Sequence, residues 1–310
     1  MTFSISVVVP VYNSESTLNN LVDRLKPVLE AQATAYELIL VNDGSRDESW
    51  GKICELTTEH HWIHGINLFR NYGQHNALLC GIRAAQHEII VTLDDDLQHP
   101  PEEIEKLLAL LHQGYDVVYG TAEVRQHGFW RNTASLITRL ALQGAMGAKN
   151  ARSVSSFRAF RTDVRQAFAN YQGPHVFIDV LLTWGTTRFA AVGVRHDARR
   201  TGTSNYTFGN LVVQALNLMT GFSTLPLRIA SLLGFLFTLF GIIILVVVVG
   251  LYLWQGSRVP GFPFLACIIA IFSGTQLFAL GIIGEYLARM HFRMMDRPSY
   301  AVRQQRRNQE

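Results

Sequence analysis

Three consecutive aspartates follow an apolar segment in the string TLDDDLQHPPEE, residues 92–103. Adjacent carboxylates repel one another, so folding alone gives no reason for this arrangement. Alternate side chains of an extended backbone point the same way, which would place Asp94 and Asp96 on one face with Gln98 as a further, neutral oxygen. Oxygen-only ligands suit a hard divalent cation such as Mg²⁺ or Mn²⁺. The spacing indicates a cation site, with a solvated acidic loop that caps the next helix as the alternative.

A further acidic position, Asp43, lies in the string VNDGS after another apolar segment. Asp-Gly pairs are also common in ordinary tight turns, because aspartate bonds to nearby backbone and glycine tolerates a positive φ. Taken alone, the turn is the stronger interpretation of this position.

Arginines are concentrated in the segment that leads toward the apolar C-terminal region. The planar guanidinium suits phosphate oxygens, although each of these side chains taken singly fits a solvated surface. As a set they indicate an anionic partner carried by a lipid. They are Arg125, Arg131, Arg152, Arg158, Arg161, Arg199 and Arg200.

The elements that would position these groups alternate over residues 1–125. Strands are predicted at ISVVVPVY, YELILVND, GINLFR, EIIVTL and DVVYGT, and helices at ESTLNNLVDRLKPVLEAQ, GQHNALLCGIRAAQ and PPEEIEKLLALLHQG. Between them, Ser45 and Glu48 have the spacing of a capping box. Nearly unbroken apolar strands alternating with helices predict an α/β fold with a mostly parallel sheet covered on both faces. Ligands bind such sheets beyond the carboxyl ends of the strands, here positions 10–13, 42–43, 70 and 94–96.

The sequence also argues against several classes of function. The dinucleotide and P-loop fingerprints GxGxxG and GxxxxGK[ST] do not occur, which argues against a plain NAD or ATP site. Cys54, Cys80 and Cys267 form no CxxC pair, as expected of a reducing compartment. The net charge of +3 is modest and lies mainly in the tail, so we expect a membrane surface rather than nucleic acid as partner.

The C-terminal third carries a membrane signal. The chain is 48% hydrophobic and only 16% charged, and no charged residue occurs at 229–257 or at 259–284. Each run exceeds the roughly 20 residues that cross a bilayer core. We therefore predict a two-helix transmembrane hairpin within residues 227–288, with spans at about 229–255 and 260–284.

The flanking charges predict the orientation and the domain organisation. The connecting loop carries only Arg258, whereas the segment after the hairpin is rich in arginine, and positive flanks stay cytoplasmic. We expect a cytosolic domain at 1–206, a juxtamembrane amphipathic helix at 207–226 and a basic cytosolic tail at 289–310.

Six strings, taken in order, resemble a known family: VVVPVYN, VNDGS, RNYGQHNALLCGI, DDDLQHPPEE, SSFRAFR and RRTGTSNY. They are similar to successive motifs of family 2 glycosyltransferases with the GT-A nucleotide-sugar-binding fold. Within that family they resemble the polyprenyl-phosphate branch, which includes dolichyl-phosphate mannosyltransferases, bactoprenol glucosyltransferases and undecaprenyl-phosphate aminoarabinose transferases. The strings FSTLPLRIASLLG and GIIGEYLARMHFRMMDRPSY look like the two-span C-terminal region of bacterial members. The resemblance covers nearly the whole chain.

The resemblance implies a donor pocket and a metal site. Pro10, Tyr12 and Asp43 would line the pocket for the base and ribose. Asp96 and Gln98 would hold Mg²⁺ or Mn²⁺ on the donor diphosphate. The positions implied in donor binding are Pro10, Tyr12, Asp43, Asp94, Asp95, Arg199 and Ser204.

The resemblance also implies an acceptor site. Arg131 and Arg158 match arginines that hold the acceptor phosphate in the family, and Arg125 is a third candidate. The set expected to act in catalysis is Asp94, Asp96, Arg131 and Arg158.

One motif departs from the family pattern. Arg199 and Ser204 lie in an R-x-x-G-x-[ST]-K segment that closes over the donor in relatives, but the last position is Asn205 here. A neutral amide supplies no charge, so the donor diphosphate would depend on Arg199 or Arg200 instead.

The function implied is inverting transfer of a sugar from a nucleotide sugar to a membrane polyprenyl phosphate, with UDP and undecaprenyl phosphate favoured by the bacterial relatives. Two alternatives stay open. A processive polysaccharide synthase shares the sheet and the D-x-D, but it usually needs more spans and a QxxRW string, which does not occur here. A membrane-anchored scaffold that binds a nucleotide sugar without turnover is the other.

The resemblance to bacterial members implies the bacterial inner membrane, and the flanking charges predict that both termini lie in the cytoplasm. Small residues along the spans could pack against a neighbouring copy in a homo-oligomer. They are Gly234, Gly241, Gly274 and Gly281.

Overall fold

A computed structural model describes residues 3–122, 154–173, 176–197, 225–255, 261–295 and 298–307. In chain order the strands are β1 (Phe3–Val11), β2 (Ala33–Asn42), β3 (Ile63–Leu68), β4 (Ile89–Thr92), β5 (Val117–Ala122), β6 (Arg158–Arg161), β7 (Phe189–Val194) and β8 (Val302–Arg307). The α-helices are α1 (Leu18–Gln32), α2 (Ser49–Glu59), α3 (Gln74–Ala84), α4 (Ile104–His112), α5 (Ile178–Gly185), α6 (Leu225–Gln255) and α7 (Phe262–Met294). Short 3₁₀ helices span Pro101–Glu103 and Thr162–Phe168.

The strands form one sheet in the order β7-β5-β6-β4-β1-β2-β3-β8. The pairs β1–β2, β1–β4, β2–β3 and β5–β7 are parallel, whereas β6 and β8 pair antiparallel with their neighbours. The mostly parallel α/β sheet predicted from the sequence is confirmed. Its central strands β4, β1 and β2 end at the same edge, which brings their carboxyl-terminal loops together.

Both faces of the sheet are covered, which explains why β1 is apolar almost throughout. Val7 and Val9 belong to the core cluster shared with α1, α2 and α4, whereas Val8 belongs to the cluster shared with α3 and α5. Helix α3 lies especially close to β1: a Cβ added at Gly81 would lie 2.3 Å from Val8 Cγ1. A side chain larger than glycine at this position would therefore push α3 away from β1.

The start of α2 differs from the predicted capping box. The helix begins at Ser49, whose N–H and hydroxyl donate to Asp47 Oδ1 at 3.1 and 2.6 Å. Ser45 instead accepts a hydrogen bond from Asn13 N at 3.0 Å. The turn at Gly44, with φ of +67°, places Ser45 toward the β1 loop rather than at the helix. The capping-box prediction is therefore wrong.

The C-terminal segment also differs from the expected basic tail. Helix α7 continues to Met294, and Val302–Arg307 pairs antiparallel with β3 as the edge strand β8. Between them, Ser299 is buried and donates to Gly173 O at 3.1 Å. The polar string VRQQRR looked like a tail because an edge strand leaves most of its side chains in solvent.

Helix α6 contains the first expected span, at about 229–255, and α7 contains the second, at about 260–284, from Phe262 onward. Phe237 and Phe272 pack edge to face between them, with ring centroids 6.2 Å apart. Within the described residues, the window Leu227–Ile244, with a mean hydropathy of 2.2, is long and apolar enough to cross a membrane. The two-span hairpin itself stays a prediction. Residues 198–224, which include nearly all of the expected amphipathic helix, lie outside the described ranges.

Candidate active site

The aspartate loop after β4 contacts the loop after β1. Asp95 Oδ2 accepts a hydrogen bond from Tyr12 N at 3.3 Å. Burial raises the pKa of Asp95 to about 6; hydrogen bonds from Ser14 and Tyr12 N oppose this rise, and the neighbouring Asp94 and Asp96 add to it. The middle aspartate of the triplet therefore joins the two loops that were expected to bind the donor.

Asp94 is held by donors from two other elements. Gln74 Nε2, at the start of α3, donates to Asp94 Oδ1 at 2.6 Å. Ser156 Oγ, just before β6, donates to Asp94 Oδ2 at 2.6 Å. Each carboxylate oxygen thus accepts a short hydrogen bond from a neutral side chain, which fixes the plane of the carboxylate.

A sharp turn follows Asp96. Leu97 has a φ of +58°, in the left-handed region that a bulky residue rarely adopts, and its side chain is buried. The turn brings Gln98 N to 3.1 Å from Asp96 Oδ1 as a hydrogen-bond donor. Strain of this kind is found where surrounding packing enforces a functional geometry.

The side-chain oxygens of Asp96 and Gln98 are of the kind that binds a hard divalent cation. A carboxylate and an amide oxygen are suitable ligands for Mg²⁺ or Mn²⁺, which keep several positions for water and substrate phosphate. Among the residues that the structure describes, no three His, Cys, Asp or Glu side chains converge into a metal cage. The remaining ligands would come from the donor diphosphate and water.

The segment before RRTGTSNY docks on the aspartate loop. Asp197 N donates to Gln98 O at 2.8 Å. The rings of His99 and His196 meet edge to face at 4.9 Å. Burial lowers the pKa of His99 to about 4, with His196 adding to this effect and Asp96 opposing it. The chain that leads to the expected donor-closing segment therefore begins beside the expected metal site.

Asp43 holds the loop before α3. Its carboxylate accepts hydrogen bonds from Tyr72 N at 2.7 Å and Gly73 N at 2.8 Å, and the residue is only 3% exposed. Burial raises the pKa of Asp43, and the two backbone hydrogen bonds oppose that rise. Gly44 has the positive φ expected of the turn, +67°, but the Asp43 carboxylate bonds to the loop before α3 rather than to its own turn. Contact of Asp43 with a nucleobase stays a prediction.

The β1 end supplies one buried and one exposed group. Pro10 pairs in register with Val41 inside the sheet, whereas Tyr12 is 40% exposed beyond the strand end. The aromatic side chain of Tyr12 is therefore placed where a planar base could pack against it.

Arg158 lies inside the fold. It is 1% exposed in β6, opposite Thr92, and its guanidinium forms an ion pair with Asp179 at the start of α5. The charge of Arg158 therefore neutralises a buried carboxylate, and its expected contact with an acceptor phosphate stays a prediction. Direct phosphate contact would require that ion pair to open.

Four predicted site residues lie outside the described ranges: Arg125, Arg131, Arg199 and Ser204. The structure adds three residues that the sequence reading did not assign. Gln74 and Ser156 lie within the quoted strings RNYGQHNALLCGI and SSFRAFR, so the motifs carried a signal, whereas Asp179 had none.

The family follows from comparison with known proteins. Residues 6–168, more than half of the chain, match the family model for glycosyl transferase family 2. The chain belongs to glycosyltransferase family 2, and its described sheet is of the GT-A type.

One relative also resembles the chain beyond the family domain. It is the undecaprenyl-phosphate 4-deoxy-4-formamido-L-arabinose transferase of Pectobacterium carotovorum subsp. carotovorum strain PC1, 35% identical over 303 residues. The match covers 96% of this chain and 92% of that protein. The polyprenyl-phosphate branch predicted from the motifs is therefore confirmed as the branch that the chain resembles.

Solved structures support the fold. Mycobacterium tuberculosis glucosyl-3-phosphoglycerate synthase with Mn²⁺, UDP and glucosyl-3-phosphoglycerate matches with a TM-score of 0.52 and 18% identity, over 70% of this chain and 78% of that one. The same synthase with Mn²⁺, UDP-glucose and phosphoglyceric acid matches with a TM-score of 0.53, at the same identity and coverage. At this identity the likeness establishes the GT-A-like fold alone.

Proposed function

We propose that this protein transfers a sugar from a UDP-sugar to the phosphate of undecaprenyl phosphate, with inversion at the anomeric carbon. The product would be a lipid-linked sugar for envelope glycan synthesis or for modification of lipid A or O-antigen. The observation that carries the proposal is the match over 96% of the chain, including the C-terminal helices, to a transferase named for undecaprenyl phosphate.

The donor would bind across the carboxyl ends of β1, β2 and β4. Tyr12 offers an aromatic face for the base. The buried Asp43 holds the Tyr72–Gly73 backbone through two hydrogen bonds. Asp94 and Asp95 would contact the ribose and sugar side of the donor. The contact between Asp95 and Tyr12 N lets the two loops act as one surface.

Asp96 and Gln98 would hold the divalent cation. When bound, Mg²⁺ or Mn²⁺ would neutralise the charge that develops on the departing nucleotide diphosphate. The turn at Leu97 keeps the two ligand residues next to each other. The UDP and Mn²⁺ named for the solved M. tuberculosis synthase motivate the choice of nucleotide and cation to test first.

The acceptor needs alignment more than activation. A phosphomonoester has a second pKa near 6 and is largely a dianion at neutral pH, so a strong general base is less necessary than for a hydroxyl acceptor. Arg131 and Arg125, with Arg199 and Ser204 on the donor side, are the groups we assign to holding the phosphate oxygen and the diphosphate in line. An in-line displacement inverts the anomeric carbon.

Helices α6 and α7 would anchor the enzyme where its lipid acceptor lies. Many apolar side chains of α6 are exposed, Trp254 by 90% and Leu253 by 78%, which water does not favour. Strands β1 to β7 precede α6 and β8 follows α7, yet all belong to one sheet. Any membrane that these helices cross must therefore be crossed an even number of times. We assign one crossing to α6 and one to α7, with the catalytic domain on the cytoplasmic face.

The test is a panel of nucleotide sugars offered to the purified full-length protein with undecaprenyl phosphate. UDP-4-deoxy-4-formamido-L-arabinose, UDP-glucose and GDP-mannose should be included, each labelled in the sugar. We expect label in a solvent-extractable lipid phosphate from a UDP-sugar, an inverted anomeric configuration in the product, and loss of transfer in Asp96→Ala. Label in a polymer alone would indicate a synthase, and sugar binding without transfer would indicate a scaffold.

A further inference from the structure

We propose that Gln74 and Ser156 are positioning residues that hold the Asp94 carboxylate in the orientation with which it contacts the donor. The inference deepens the proposed function and rests on it for the identity of the donor. Neither residue was assigned a role by the motifs, because they lie beside the positions expected to touch substrate.

The geometry fixes the carboxylate by both of its oxygens. Gln74 Nε2 and Ser156 Oγ donate to Asp94 Oδ1 and Oδ2 respectively, each at 2.6 Å. Hydrogen bonds to an ionised carboxylate are stronger than those between neutral groups. Two donors on different oxygens oppose rotation of the carboxylate about its terminal torsion, which is otherwise broad.

The position of Gln74 is set by the residue before it, which bonds to Asp43. It is the first residue of α3, and the preceding Gly73 has a φ of +95° and donates its N–H to Asp43 Oδ2 at 2.8 Å. The loop before α3, which Asp43 holds through Tyr72 N and Gly73 N, therefore places the Gln74 amide at Asp94. Asp43 and Asp94, both assigned to the donor pocket, are thus connected through three consecutive residues, 72–74.

Ser156 is fixed from the opposite side. Its carbonyl oxygen accepts hydrogen bonds from Thr92 Oγ1 at 2.8 Å and from Arg158 Nε at 3.5 Å. Thr92 is the last residue of β4, two positions before Asp94, and Arg158 is paired with Asp179. The buried ion pair thus supports the serine that orients the carboxylate, which gives Arg158 a structural reason to lie inside the fold.

The chemical type of the two donors suits a site that binds a cation. Asp94, Asp95 and Asp96 repel one another, and an arginine or lysine at this place would relieve that repulsion but would also oppose a divalent ion. An amide and a hydroxyl orient an ionised carboxylate without adding positive charge. The acidic triplet therefore keeps its negative charge for the metal and the donor.

A double-mutant cycle tests whether the two residues act through Asp94. The probe is UDP with Mn²⁺, and the measurement is its dissociation constant for the full-length protein by calorimetry. We expect Gln74→Ala and Ser156→Ala each to weaken binding roughly tenfold, the effect of losing one hydrogen bond to a charged group. In an Asp94→Ala background, the same changes should have less than about a twofold effect.

Matched controls separate positioning from general damage. Ser156→Thr keeps the hydroxyl and should bind UDP nearly as tightly as the wild type. Ser155→Ala removes the neighbouring hydroxyl, which accepts from Phe157 N instead, and Gln166→Ala removes an exposed amide from the 3₁₀ helix after β6. Neither Ser155→Ala nor Gln166→Ala should change UDP affinity.

The same cycle measured by thermal unfolding needs no ligand. Gln74→Ala should lower Tm by about 2–4 °C in the wild type and by little in Asp94→Ala. If Gln74→Ala weakens UDP binding equally in both backgrounds, Gln74 contacts the ligand itself and the inference is wrong. Wild-type-like binding and unfolding of both single variants would also overturn it. A wild type that binds no UDP but retains the unfolding coupling would overturn the proposed donor instead.

Discussion

The Arg158 guanidinium and the Asp179 carboxylate form an ion pair that the protein buries almost completely. The pair joins the short strand β6 to the start of α5. Arg158 lies opposite Thr92, the last residue of β4 before the aspartate loop. An arginine that a family motif would assign to the acceptor is therefore part of the scaffold of the site.

This placement predicts a large and asymmetric stability effect. Removing one partner leaves an uncompensated buried charge, so Arg158→Ala should lower the free energy of unfolding by about 3–5 kcal/mol. Arg158→Met combined with Asp179→Leu should recover most of that loss, because neither change then leaves an uncompensated charge buried. Thermal unfolding of the detergent-solubilised variants measures both. If Arg158→Ala keeps the wild-type Tm and loses only transfer to the lipid, the arginine acts on the acceptor phosphate after all.

Gly44 should be irreplaceable for a reason that is specific to the donor loop. It has a φ of +67°, and an added Cβ would lie 2.5 Å from both Arg70 C and Asn71 N. Gly44→Ala should displace the Arg70–Asn71 backbone and weaken UDP binding at least tenfold, because strain and clash add. Gly73 is the matched control: its φ is +95°, but an added Cβ meets nothing within 4 Å. We expect Gly73→Ala to weaken UDP binding less, because it introduces backbone strain without a clash. Equal effects of Gly44→Ala and Gly73→Ala would contradict the role given to the clash at Gly44.

Acid should destabilise the protein partly through His75. Burial lowers the pKa of His75 from 6.5 to about 4; Asp179 opposes this shift and Arg158 adds to it. Below pH 6.5 the unfolded state binds this proton and the folded state does not, so stability falls as the pH falls from 6.5 to 4. The contribution of this one group over that window is roughly 3 kcal/mol.

His75→Asn checks this contribution, since asparagine still offers an acceptor for Ile178 N, which donates to His75 Nδ1 at 3.4 Å. Unfolding should be measured from pH 7 to pH 4 in parallel with the wild type. The variant should lose less stability over that range, although His99, whose pKa is also about 4, retains its own effect. Parallel curves for the two proteins would show that His75 takes up its proton normally in the fold.

The returning strand β8 can be tested by its register. Gln304 pairs opposite Asn67 and Gln305 opposite Ile66, at the edge of the described sheet. Successive N–H groups of an edge strand point alternately toward the neighbouring strand and toward solvent, and proline has none to donate. One of Gln304→Pro and Gln305→Pro should therefore destabilise the protein and the other should be tolerated far better.

Thermal unfolding of the two proline variants, with UDP binding as a second measurement, distinguishes β8 from a loose tail. Two variants that both unfold like the wild type would mean that residues 302–307 do not pair with β3. In that case the topological argument for an even number of membrane crossings would also be lost.

Much of the fold could be predicted because local patterns and tertiary burial agree. The apolar strings of β1, β2 and β4 indicated strands buried on both faces, and the polar residues after them marked the edge at which the candidate site residues lie. The two long apolar runs likewise predicted helices that the structure contains, although α7 extends ten residues past the predicted end at 284. In each case one property, apolar periodicity or length, was sufficient.

The rest depended on contacts between distant segments. Strand β8 has a polar sequence, and only its pairing with β3 makes it a strand. The burial of Arg158 depends on Asp179, which lies 21 residues further along the chain in another element. The hydrogen bonds from Gln74 and Ser156 to Asp94 connect three loops that are far apart in the chain. The periodicity of apolar residues cannot predict contacts of this kind.

The central claim, that a divalent cation at Asp96 and Gln98 assists sugar transfer to a lipid phosphate, is tested most directly by measuring transfer with and without a chelator. Purified full-length protein, a labelled UDP-sugar and undecaprenyl phosphate are incubated, and label in the extracted lipid is counted. We predict that EDTA abolishes transfer, that Mn²⁺ or Mg²⁺ restores it, and that Asp96→Ala stays inactive under both conditions. Undiminished transfer in EDTA would contradict the account.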